Sequence, residues 1–182
     1  QWNIDALKLM MAILYFYAGL AKVNSDWLLH ALPLKIWLPA RNDMPLIGWL
    51  FNLPIIPYVF SWFGCLYDLS IPFLLWQSRT RPYAYAAVVV FHVLTALLFP
   101  IGMFPHIMMV AALIFFTAKF HQNIIDKFSF GSNQTIAAVI ATRTYVTPKH
   151  LIWVFVVFFV LQIFLPFRYL AYPGELFWTE EG

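Results

Sequence analysis

Charge is what this chain has least of. Only 10% of its 182 residues are Asp, Glu, Lys or Arg, whereas 63% are hydrophobic and 20% aromatic. Soluble domains carry about 25% charged residues. The deficit excludes an ordinary water-soluble globule and, with a mean hydropathy of +0.77, points to a polytopic membrane protein. Cysteine is almost missing as well. Cys65 stands alone, which excludes an internal disulfide and a thiol-bound metal cluster. The five histidines (His30, His92, His106, His121 and His150) include no pair at i, i+3 or i, i+4, so no metal is expected. No run of five to eight Lys or Arg occurs. The net charge of +3 therefore bears on topology, and no nucleic-acid partner is expected. Glycine-rich phosphate loops and G-x-S-x-G elbows are absent, and no GxxxG lies in an apolar run.

What the chain does have is long apolar runs. A spanning helix needs about 20 such residues, and five stretches qualify or come close: roughly 3–23, 54–77, 83–99, 103–120 and 150–170. They are continuous and not alternating, so the expected fold is an all-α transmembrane bundle. The third and fourth are short and separated by "FPIGMFP", whose two prolines and glycine predict a tight hairpin or re-entrant turn.

With the first helix starting in the cytoplasm, seven Lys or Arg fall inside (Lys8, Arg79, Arg81, Lys119, Lys127, Arg143, Lys149) and four outside (Lys22, Lys35, Arg41, Arg168). The positive-inside rule favours that orientation. It places Lys22, "FPIGMFP" and the C-terminal "YPGELFWTEEG" on one non-cytoplasmic side, and leaves the sequon at Asn133 inside and unmodified. Residues 1–182 read as part of one transmembrane domain, with upstream helices and a downstream lumenal or periplasmic domain expected beyond them. The Trp-rich loop 24–53 reads as interfacial, and 121–149 as a polar connector.

Ionisable residues in or beside apolar spans are costly and tend to be functional or paired. Lys22 in "FYAGLAKVNSDW" has two readings. As an anchor it snorkels its ammonium to the headgroups. As a base it turns inward, where apolar surroundings favour the neutral amine. Gly19 allows close approach of a helix or ligand, Tyr15 lies seven residues back on the same face, and Asp26 and Trp27 can roof the site. His92, mid-helix, is either a hydrogen-bonded core histidine or a ligand-facing acid, base or donor. Asp68 is a buried carboxylate in need of a partner, and His106 follows the outer turn and can line a cavity.

Three stretches, "YFYAGLAKVNSDWL" (15–28), "LYDLSIPFLL" (66–75) and "FHVLTALLFPIGMFPHIMM" (91–109), resemble the vitamin K-dependent γ-carboxylases. The C-terminal "LPFRYLAYPGELFWTEEG" resembles the point where that family's transmembrane part leads into its lumenal part. The resemblance runs in order along most of the chain and is to bacterial members, which carry the same horizontally transferred transmembrane domain (HTTM). It implies an enzyme that couples oxygenation of a reduced naphthoquinone, vitamin K hydroquinone, to its epoxide with proton abstraction from glutamate and addition of CO2. Vitamin K hydroquinone, O2 and CO2 are the implied co-substrates, and a glutamate-containing protein or peptide the implied acceptor. Lys22 is then the base and His92 a hydrogen-bonding partner in the same site, with Tyr15 and Phe104 lining the quinone pocket and His106 beside it. The implied location is the bacterial inner membrane, in contact with lipid. The animal members have two lysines where this chain has Ala21 and Lys22. The alternative is a non-catalytic scaffold, or a quinone- or lipid-binding domain, of the same fold.

Overall fold

The computed structural model describes residues 2–128 and 148–171. The sequon, most of the expected connector and "YPGELFWTEEG" lie outside these residues. The chain divides into two units, Gln1–Phe120 and His121–Gly182. Among the described residues regular structure is entirely helical, as the continuous apolar runs require.

In the first unit, α1 (Trp2–Leu20), α3 (Ile56–Trp76) and α4 (Arg81–Leu98) are each long and apolar enough to cross a membrane. Between α1 and α3 run a π-helical turn (Asp26–His30), the short α2 (Leu32–Trp37) and two 3-10 turns (Pro39–Arg41 and Gly48–Asn52). Then comes α5 (Phe104–Ala111), prolonged by a 3-10 turn (Ala112–Phe115), and α6 (Ala118–Phe128) runs from the first unit into the second. In the second unit, α7 (Lys149–Phe164) continues as 3-10 helix over Leu165–Ala171. His150–Arg168 is the fourth segment able to cross a membrane.

The expected span at 103–120 is interrupted. Helix and 3-10 turn end at Phe115, and the chain is non-helical before α6 begins at Ala118. Residues 104–115 rise only about 18 Å, well short of a hydrocarbon core about 30 Å thick. A fifth span exists only if this segment and α6 count as one broken span. The polar residues Lys119, His121, Gln122 and Asn123 fall after the break, within α6. Helix α6 is amphipathic, with Phe120, Ile124 and Phe128 recurring every four residues among polar ones, a pattern suited to a membrane surface.

Helix α1 packs most extensively on α3, and Gly19 sets how close they come. A Cβ there would lie 2.7 Å from Leu69 Cγ and 2.9 Å from the Leu69 backbone nitrogen. Arg81 closes the α3–α4 hairpin by donating from Nε to the Leu75 carbonyl at 3.0 Å and from Nη2 to the Trp76 carbonyl at 3.1 Å, satisfying carbonyls left over at a helix end. The "FPIGMFP" hairpin joins α4 to α5. Gly102 takes φ +63°, Pro105 sits in the first turn of α5, and both placements suit those residues. Two apolar clusters result. One holds Tyr15, Tyr67, Ile71, Val88, Met108 and Phe115 among α1, α3, α4 and the α5 segment. The other holds Leu34, Leu38, Phe51 and Leu98 under the loop. Loop 24–53 therefore carries buried core of its own beside its exposed tryptophans, Trp37 and Trp49.

Candidate active site

The site begins where α1 stops. After Leu20 the chain tightens, with the Lys22 amide donating to the Gly19 carbonyl at 3.0 Å. Asn24 then clamps the turn. Its side-chain amide donates to the Ala21 carbonyl, and its Oδ1 accepts from the Trp27 amide, both at 2.8 Å. This local geometry aims Lys22 at α3. Its Nζ lies 2.6 Å from Asp68 Oδ2 and donates to the Ala18 carbonyl at 3.0 Å. The Lys22 side chain is 21% exposed and that of Asp68 7%, so the ammonium points into the bundle and away from a snorkelling position. Trp27 lies over it, its ring centroid 5.4 Å from Nζ. Trp27 is itself pinned to α3, its indole N–H donating to the Ser61 carbonyl at 3.0 Å and its carbonyl accepting from the Ser61 hydroxyl.

A second pair faces the same space. The Tyr15 hydroxyl and His92 Nε2 are 3.0 Å apart, and both residues are buried. His92 Nδ1 is buried with no hydrogen-bond partner among the described residues, and the same holds for the Tyr67 hydroxyl. Such atoms are rare and costly in folded proteins. Tyr67 stacks on Phe91 with centroids 4.0 Å apart, and Phe104 meets the His92 ring edge-on at 6.2 Å.

These residues enclose one cavity of about 390 Å³, within the size range of small-molecule sites. Tyr15, Lys22, His92 and Phe104 all line it, together with Asp68, Trp27, Gly64 and a mostly aromatic and aliphatic remainder. His106 does not. It is exposed, and its neighbours Phe104 and Met108 take the cavity-facing positions of α5. A helix turns about 100° per residue, so His106, two positions from each, projects elsewhere. Asp68 as the partner of Lys22 lay beyond sequence reasoning, since 46 positions separate them. The available signal was that Asp68 is the single charged residue within α3.

Residues 1–120 match the family model described as the HTTM domain. The chain belongs to the HTTM-domain family. Residues 147–182 match the model of the vitamin K-dependent gamma-carboxylase lumenal domain. The two matches together are consistent with the relation to the vitamin K-dependent carboxylases that the motifs implied. Every residue lining the cavity lies within the HTTM part. No solved structure matches the chain.

Proposed function

We propose that the chain is the membrane-embedded reaction module of a reduced-naphthoquinone-dependent carboxylase, with Lys22 as base. The observation that carries this reading is the convergence of Lys22, Asp68 and the Tyr15–His92 pair on one largely apolar cavity. The net chemistry turns quinol, O2, CO2 and a glutamyl C–H into quinone epoxide, γ-carboxyglutamate and water. Aromatic walls that also carry Lys22, Asp68 and His92 fit a planar ring that bears hydroxyl groups.

The roles of the chain's own groups follow from their contacts. Lys22 takes a proton at Nζ, and Asp68, 2.6 Å away, stabilises the ammonium that results. Asp68 is thus a positioning residue, setting where the amine stands. The Tyr15 hydroxyl, 3.0 Å from His92 Nε2, holds the imidazole in place on the cavity wall. Phe104, Phe91 and Trp27 supply flat apolar walls that exclude water. The acceptor is a glutamate-containing peptide or protein, the site opens on the non-cytoplasmic side, and the membrane is the bacterial inner membrane.

The experiment is quinol epoxidation by the full-length protein in lipid nanodiscs, compared with Lys22→Ala. The expected loss is about 100-fold or more, with partial recovery on adding a small external amine. Equal rates would remove Lys22 as the base. A second reading, a quinone- or lipid-binding domain without catalysis, is favoured by the Lys22–Asp68 ion pair itself, since a clamped ammonium has no free lone pair. It predicts quinone binding with no epoxide formed by either protein.

A further inference from the structure

A second chamber, of about 500 Å³, lies at the end of α4. Its walls are Trp37, Ala40 and Arg41 from loop 24–53 and residues 98–101, where α4 runs into the "FPIGMFP" hairpin. Arg41 is the single charged residue among them. Its Nε donates to the Leu98 carbonyl at 2.8 Å, which fixes the guanidinium against the last residue of a spanning helix. Arg41 pairs with no carboxylate among the described residues. A guanidinium carries five N–H donors in a planar fork, and only Nε is engaged among the described residues.

Depth decides what the remaining donors meet. Helix α4 has 18 residues and rises about 27 Å, close to the thickness of a hydrocarbon core. The Leu98 carbonyl, and Arg41 with it, therefore stands at the boundary between hydrocarbon and headgroups. Trp37, 52% exposed on the chamber wall, and Trp49, 63% exposed in the same loop, suit that level too. Phosphates are the anions found there. We infer that the chamber binds one phospholipid, with its phosphodiester on Arg41 and the start of an acyl chain against Trp37, Pro100 and Ile101. Guanidinium and phosphate oxygens match as a bidentate, charge-assisted pair, and the other walls are apolar. Trp37, Phe99 and Ile101 also line the inner cavity, so the lipid borders that cavity without entering it.

The test is native mass spectrometry of the full chain released from detergent micelles, titrated with phosphatidylglycerol or with diacylglycerol of the same chains. One phosphatidylglycerol should bind at concentrations about tenfold or more below those that diacylglycerol needs. Arg41→Gln should abolish that difference and leave diacylglycerol binding unchanged, which also reports that the variant folds. Ala40→Trp fills the chamber, leaves Arg41 in place and alters no wall of the inner cavity. It should remove the tightly held phosphatidylglycerol as well. An undiminished preference for phosphatidylglycerol in either variant would overturn the assignment. Displacement of the lipid by inorganic phosphate would overturn it in favour of a free-anion site, and displacement by a glutamate-containing peptide in favour of a peptide carboxylate site.

Discussion

Lys22 Nζ and Asp68 Oδ2 stand 2.6 Å apart across the α1–α3 contact. The pair ties the end of the first helix to the middle of the next long one, and it is largely withdrawn from solvent. Its energetic signature should follow the rule for buried ions, in which removing one partner is worse than removing both. Asp68→Ala leaves an uncompensated ammonium and should destabilise by about 3 kcal/mol, the low end of the usual range because Lys22 retains some exposure. The double variant Lys22→Met/Asp68→Leu should melt close to the parent. Thermal melting in detergent checks both, and a double variant no more stable than Asp68→Ala would contradict this account of the pair.

Tyr15→Phe keeps the ring that packs against Tyr67, with centroids 6.1 Å apart, and removes the hydroxyl that faces His92. His92 then has both ring nitrogens buried without protein partners, at a cost of about 1–3 kcal/mol. Quinone affinity should fall with it, because the imidazole that lines the cavity is no longer held by the Tyr15 hydroxyl. His106→Ala, an exposed change outside the cavity, should alter stability by less than about 0.5 kcal/mol and leave affinity alone. Isothermal titration with a naphthoquinone separates the two. Parallel losses for both variants would mean that the cavity is not the binding site.

Gly19→Ala tests the helix crossing. Its new methyl group meets both the Leu69 side chain and its backbone, and backbone cannot swing away. The expected loss is about 1–3 kcal/mol, as for other overpacked sites, despite the gain in helix propensity. Because Lys22 lies one turn on, the same shift should loosen its contact with Asp68. An unchanged melting temperature would mean that α1 and α3 are not held at this distance.

Gly64→Ala should behave in the opposite way. A Cβ at Gly64 meets nothing within 4 Å, because the residue borders the cavity. Alanine should raise stability by up to about 1 kcal/mol through helix propensity. Gly64→Leu should still fold but occupy the cavity, so quinone binding and epoxidation fall together. Unaffected binding by Gly64→Leu would place the ligand elsewhere.

The sequence alone determined the class of this protein, because membrane burial acts through composition and run length. Twenty apolar residues in a row are legible without coordinates. So were the "FPIGMFP" turn, through Pro and Gly chemistry, and the family, through four ordered stretches. The break at 116–117 within the fourth apolar run was not legible, because boundaries are poorly encoded in hydropathy. For Lys22 the sequence supplied two readings, with position alone favouring the anchor, since a lysine at a helix end can face headgroups or neighbours. Only the tertiary structure decided its direction. The Asn24 clamp turns the chain, Gly19 lets α1 approach α3, and Asp68 meets the amine across 46 positions. Tyr15 and His92, 77 positions apart, likewise meet only through packing, and His106 misses the cavity by its angle on α5. Pair contacts of this kind arise from helix crossings, which no local pattern records.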